Sequence, residues 1–251
     1  MIATIARMEL RRLFFSPLAW SILAVSQFVL ALLFLVFTES FITDIQPAYA
    51  GRPNAPGVTD AVGSPLFFWA AFIMLAIMPL LTMRLIADER QNGTLTLLVS
   101  APLSSLQIVL GKYLGLLGFI VIMIVMVMLM PASLAIGTTL DWGKLAASAL
   151  GLFLLLGSFG AAGLYLSSLT QQPLVAAVSS FGLLLFLVVL YISGSAQSSA
   201  SELFIYVSHY GHFLSFLQGV FDTADLAYYL LFIATFLVLT IRRLDNERLQ
   251  R

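Results

Sequence analysis

Apolar residues run through this chain in six long blocks separated by short polar connectors. The blocks lie at about Leu18 to Phe37, Leu66 to Met83, Tyr113 to Ile136, Leu145 to Leu169, Leu174 to Ser193 and Leu226 to Ile241. A helix needs ~20 mainly apolar residues to cross ~30 Å of hydrocarbon, because its backbone N–H and C=O groups must be satisfied inside the segment. The pattern therefore predicts six transmembrane helices. The last block is the shortest; starting it at Ala224 and Asp225 gives an ordinary length, with Tyr228 and Tyr229 at headgroup level.

Ahead of the first block, residues 1–16 predict an amphipathic helix. At ~100° per residue, Ile2, Ala6, Leu10 and Leu13 share one side and Thr4, Arg7 and Arg11 the other. Such a helix lies flat on the inner leaflet, with its arginines against anionic lipid. Ser16-Pro17 then bends the chain into the first span, since proline disfavours helical geometry in the residue before it. Glu9 falls on the apolar side, where it pairs with Arg12, reaches water, or touches the polar connector after the second block.

Composition agrees with a lipid solvent. Hydrophobic residues make up 61% of the chain and charged ones 10%, with a mean hydropathy of +1.02, whereas soluble domains carry about a quarter charged residues. The expected fold is an all-α integral membrane protein forming a single domain over residues 1–251. Six crossings put both termini on one side. Ten of the 12 Lys and Arg residues fall on that side, leaving Arg52 and Lys144 opposite, so the positive-inside rule places the termini in the cytoplasm. The zero net charge is thus composed of a basic inner half and an acidic outer half. No cysteine is present, which excludes disulfides and thiolate metal sites for this chain. The first apolar block is long for a signal-peptide core and lacks a convincing cleavage site, so it reads as a retained helix.

Residues 84–112 are too short for a domain and too polar for a span, which suits a cytoplasmic connector on which another protein docks. Arg84 and Asp88 are four apart and should form a helical ion pair. Gly93 then breaks the helix, Thr94 can cap a new one, Leu95, Leu97, Leu98 and Val99 supply apolar knobs, and Pro102 ends it. Leu103 to Leu110 lead back to the membrane, with Gly111 and Lys112 at the inner surface. Such a short, stiff helix can carry movement into the spans, whereas a floppy loop dissipates it.

Elsewhere, Thr38 to Pro65 is rich in Pro and Gly and should be an irregular outer loop. Gly194 to Thr223 suits a helix on or dipping into the outer leaflet. Gly111, Gly115 and Gly118, and Gly151, Gly157, Gly160 and Gly163, form small-residue faces that let helices pack closely in lipid. Met123, Met126, Met128 and Met130 offer thioethers to a soft metal, but without cysteine or a nearby histidine they read as packing. His209 and His212 could bind a metal only weakly. The chain has no GxxxxGK[ST] loop, HExxH or Gly-x-Ser-x-Gly, and its acidic residues sit near or outside the span boundaries. Neither ATP hydrolysis nor proton-driven carriage is expected of this chain itself.

The connector, with Asp88-Glu89, Gly93-Thr94, Pro102 and Gly111-Lys112, resembles that of ABC-2 type permeases. The N-terminal ELRRLFFSPLAW, the six spans and the tail extend the likeness over nearly the whole chain. In the tail, His212, Phe213, Gly219, Val220, Asp222, Thr240, Arg242 and Leu244 resemble the pattern of gliding-motility-type members. Ala224 stands where a more typical member has a basic residue before Asp225. The resemblance implies an exporter subunit that works as a dimer or pseudo-dimer with two cytoplasmic ABC ATPase subunits. ATP and Mg would be held by those partners, often beside an accessory membrane protein with an external domain, and no nucleic-acid partner is expected. It also implies ATPase coupling through Glu89, Gly93, Thr94, Leu97, Pro102, Gly111 and Lys112. A rival reading is a non-transporting scaffold that passes ATPase motion to an envelope or motility partner.

Overall fold

The structure, a computed structural model, describes residues 1–50, 55–94, 103–194 and 208–249. Those residues are helical with short connections, and no strand occurs among them. The helices are α1 (Ile2–Phe15), α2 (Pro17–Ser40), α3 (Ser64–Thr82), the short α4 (Ala87–Gln91), α5 (Ser105–Ser133), α6 (Trp142–Leu169), α7 (Pro173–Gly194), α8 (His209–Leu217) and α9 (Thr223–Leu249). Six of them, with their helical extensions, are long and apolar enough to cross a membrane. The protein is therefore a multi-pass integral membrane protein.

Both predicted ends of the outer loop are partly helical: wide turns extend α2 through Phe41–Ile45 and lead into α3 through Thr59–Gly63. These turns lengthen the spans beyond the purely apolar blocks. The loop is then closed against the next connector. Thr59 Oγ1 accepts from the Asp141 N–H at 3.0 Å, Asp141 caps α6 through the Lys144 N–H, and Lys144 pairs with Asp60.

Helix α6 is the centre of the bundle, with 72% of its most apolar window buried against 22% for α9 and 28% for α2. Its glycines explain how it accepts so many neighbours. A Cβ on Gly151 would meet the Phe216 ring of α8, one on Gly160 would lie 2.8 Å from Leu116 of α5, and one on Gly163 would lie 2.7 Å from the Cβ of Thr82 of α3. Tyr113 of α5 donates to the Gly157 carbonyl at 3.0 Å. Backbones approach this closely only where side chains are missing, which in lipid replaces hydrophobic exclusion as the source of helix association.

Of the two placements expected for this segment, on the outer leaflet or dipping into it, helix α8 takes the deeper one and packs inside the bundle. Its His209, Tyr210, His212, Phe213, Phe216 and Leu217 are buried, and His209 stacks on Phe159, beyond the midpoint of α6. At its other end, the Leu217 carbonyl accepts from Ser64 Oγ at 3.1 Å, close to the start of α3. The helix thus runs from within the bundle toward the start of α3. Its non-helical start at Ser208 is buried in protein, the condition under which irregular backbone is tolerated at such depth.

Candidate functional site

The connector is anchored where α3 ends. Met83 to Ile86 leave the helical path, with Ile86 at φ −128°, so the N–H groups of Ile86 and Ala87 lose their helical acceptors. Ser167 of α6 takes both, at 3.2 and 2.9 Å, and its hydroxyl donates to the Met83 carbonyl at 3.1 Å. One buried hydroxyl from the central helix thereby fixes the break. Because the helix is broken, Arg84 and Asp88 do not stand one turn apart, and the ion pair expected between them is absent. Arg84 instead donates to Ser16 Oγ at 3.4 Å, and Asp88 pairs with Arg12.

From this root, α4 points charges in two directions. Glu89 turns toward α1 and α5, where its Oε1 accepts from Lys112 Nζ at 2.6 Å and from Arg12 Nη1 at 2.9 Å. Arg90 turns the other way, gripping both carboxylate oxygens of Glu247 in α9 at 2.6 and 2.8 Å and reaching the Thr170 carbonyl after α6. Both carboxylate contacts come from Nη2, while Nη1 donates to the Thr170 carbonyl, so one guanidinium joins α4 to two other helices. Arg243 completes the set at 3.3 Å from Glu247.

The apolar pattern starts this span at Tyr113, with Lys112 just before it, but α5 begins at Ser105, so Lys112 lies two turns inside the helix and is 1% exposed. The cause is upstream. Ser104 and Gln107 form a reciprocal cap at 3.2 Å in each direction, which starts α5 at Ser105. That S-x-x-Q spacing was readable in the sequence and would have moved the helix start. A buried ammonium needs compensation, and Lys112 has two carboxylates: Glu89, and Glu9 of α1 at 3.4 Å.

Helix α1 reaches this cluster because α5 has no side chains in its way. A Cβ on Gly111 would fall 2.6 Å from Ile5, and one on Gly115 would fall 2.8 Å from Glu9. The stripe Ile5, Glu9 and Leu13 is buried against α5 and its neighbours. The apolar side expected to face lipid thus faces protein over much of its width. Glu9, awkward on that side, both sits 3.9 Å from Arg12 and touches Lys112 of the connector. Beside these charges a cleft of about 50 Å³ is lined by Glu9, Arg12, Arg84 and Asp88.

At the far end of α4, Gly93 adopts φ +73°, the left-handed geometry that stops helices and favours glycine. Thr94 donates its hydroxyl back to the Glu89 carbonyl at 3.2 Å. Of the residues singled out in the sequence, Glu89, Gly111 and Lys112 therefore meet in one cluster, while Gly93 and Thr94 close the end of α4. Leu97 and Pro102 lie outside the described residues. Beyond the local Glu9–Arg12 pair, sequence reasoning did not join Arg12, Ser167 or the Arg90–Glu247 pair to this site, because the contacts that do so span 76 or more residues.

The tail residues divide between the two ends of α9. His212, Phe213, Gly219, Val220 and Asp222 lie in or after α8 and before α9 begins, whereas Thr240, Arg242 and Leu244 lie in its last part, near Glu247 and the connector. His212 Nδ1 lies 2.6 Å from Asp225, and its ring stacks on Tyr228, which reaches His209 Nδ1 at 2.8 Å. Asp225 thus has a partner 13 residues back despite Ala224 preceding it. Asp222 caps the Ala224 N–H at 2.9 Å, while Phe213, Thr240 and Leu244 are buried. Among the described residues no group of three metal-ligating side chains forms. Met123 is buried in the core, whereas Met126, one turn along α5, is exposed.

A search of curated proteins finds no match to this chain. Residues 3–249 match the family described as ABC-2 family transporter protein. With nearly its whole length matched, and with six apolar helices to span the bilayer, the chain belongs to the ABC-2 family as the membrane component of an ABC transporter.

Proposed function

We propose that the chain is the permease subunit of an ATP-driven exporter in a bacterial cytoplasmic membrane, and that it receives motion from a separate ABC ATPase through residues 84–112. Both termini then face the cytoplasm, as the concentration of Lys and Arg at that end requires. ATP and Mg are held by the partner, and a second permease copy or a related chain completes the membrane unit. The tail pattern around His212, Asp222 and Arg242 supports a gliding-motility-type member.

The observation that supports this reading is the bonding at the root of the connector. The segment is tied at once to α1 through Arg12, to α5 through Lys112, to α6 through Ser167 and to α9 through Glu247. A load on a loosely attached loop is absorbed where it falls. A load on this root is passed to four helices, which is the mechanical requirement for changing access across the membrane. In this scheme Glu89, Gly111 and Lys112 hold the root, Gly93 and Thr94 set the direction of the projecting arm, and Leu97 and Pro102 shape the surface that meets the ATPase.

The test is Leu97→Asp in the chain co-expressed with its ATPase. Membrane insertion and gel-filtration behaviour should be unchanged, while substrate-linked ATPase stimulation in proteoliposomes is lost. Stimulation and transport at the level of the unaltered complex would overturn the proposal.

A further inference from the structure

Apart from Arg12, which reaches Glu89, the outward face of α1 takes no part in the cluster around Lys112. Opposite the buried Ile5, Glu9 and Leu13, one shallow surface is lined by Thr4, Arg7, Met8, Arg11, Arg12 and Phe15. Arg12, Arg90, Lys112, Lys144 and Arg243 each have a carboxylate partner. Arg7 and Arg11 make no ion pair among the described residues. They stand one helical turn apart, close enough for two guanidinium groups to converge on one phosphate. Beside them Met8 is 51% exposed and Phe15 87% exposed, an apolar surface that a free anion would leave uncovered.

The adjoining residues fix the depth of this face. Trp20, in the first turn of α2, is exposed and donates its indole N–H to the Phe14 carbonyl at 2.8 Å, with its ring edge-on to Phe14 at 5.7 Å. An indole with a satisfied N–H and a bare apolar body suits the headgroup boundary. It holds the end of α1 there, one residue before the first span begins at Pro17. Unpaired cations beside exposed apolar side chains at that depth complement a molecule with a negative head and an apolar body.

We propose that this face binds an anionic phospholipid, with Arg7 and Arg11 on the headgroup phosphate and Met8 and Phe15 against the upper acyl chains. The site does not depend on the coupling role of the connector, since neither arginine belongs to the buried cluster. A basic residue at the membrane surface contributes about 5-fold to anionic-lipid affinity, and two contribute about 30-fold.

The experiment uses the full chain in nanodiscs of phosphatidylcholine containing phosphatidylglycerol, followed by release into detergent and measurement of retained lipid by native mass spectrometry. The unaltered chain should be enriched in phosphatidylglycerol. Arg7→Gln and Arg11→Gln should each lower the enrichment about 5-fold, and the double variant about 30-fold. Arg242→Gln, at an exposed position on α9, should leave it unchanged. Because the single variants alter exposed side chains, they carry the test if the double variant misfolds. Equal enrichment in the arginine variants overturns the proposal. So does displacement of the lipid by millimolar inorganic phosphate, which would indicate a free-anion site. Unchanged lipid retention with loss of a co-purifying protein would likewise overturn it, by assigning the face to a protein partner.

Discussion

Replacing Lys112 by methionine removes the positive centre of the cluster while keeping a side chain of similar length. Two carboxylates are affected unequally. Glu89 keeps Arg12 at 2.9 Å, whereas Glu9, 3% exposed in its side chain, is left with Arg12 at 3.9 Å. Taking one partner from a buried ion pair costs about 3–5 kcal/mol, because the remaining charge stays desolvated. Retention of Arg12 places the expected loss near the lower bound, about 3 kcal/mol. Glu9→Gln combined with Lys112→Met neutralises the stranded carboxylate, so the double variant should be less destabilised than the sum of the two single changes by at least about 1 kcal/mol. Reversible unfolding in mixed micelles measures each term. The absence of native cysteine adds a second readout, since Ile5→Cys, placed against Gly111, should become reactive to maleimide when Lys112 is lost. The half-exposed Lys144–Asp60 pair is the comparison, and Lys144→Met should cost no more than about 1 kcal/mol. A Lys112→Met loss as small as that, or strictly additive single and double variants, would refute the view that burial makes this cluster cohesive.

Two further outcomes follow from the same geometry. Ser167→Ala leaves the N–H groups of Ile86 and Ala87 without an acceptor; a destabilisation of about 1–3 kcal/mol is expected per buried orphan group, read by unfolding, with hydrogen exchange rising first at the start of α4. Gly163→Ala drives a methyl to within 2.7 Å of the Thr82 Cβ; overpacking of about 1–3 kcal/mol is expected, and a Gly163→Ala protein as stable as the original would show that α3 and α6 do not pack as described.

The spans were legible because the demand for ~20 apolar residues acts along the sequence and needs no knowledge of neighbours. Gly93 was legible for a similar reason, since a helix stop is local chemistry. The placement of α1 was not, because a stripe that suits lipid also suits a glycine-lined helix, and only the oddly placed Glu9 hinted at a protein neighbour. The Arg84–Asp88 pair failed because spacing by four has meaning only while the helix continues, and Ser167 holds the break from another span. The depth of helix α8 was left open by the sequence, because its aromatic content fits either the lipid boundary or the bundle interior. The choice was decided by Gly151 making room for Phe216.

The glycines of α6 also limit how the bundle can change shape. With Thr82, Leu116, Tyr113 and Phe216 set directly against its backbone, turning α6 about its own axis would replace those gaps with side chains and collide on several sides at once. Tilting of the outer spans leaves those gaps matched to the side chains that fill them. The central helix therefore acts as an axle that forbids its own rotation, and rearrangement of the protein falls to the helices hung around it.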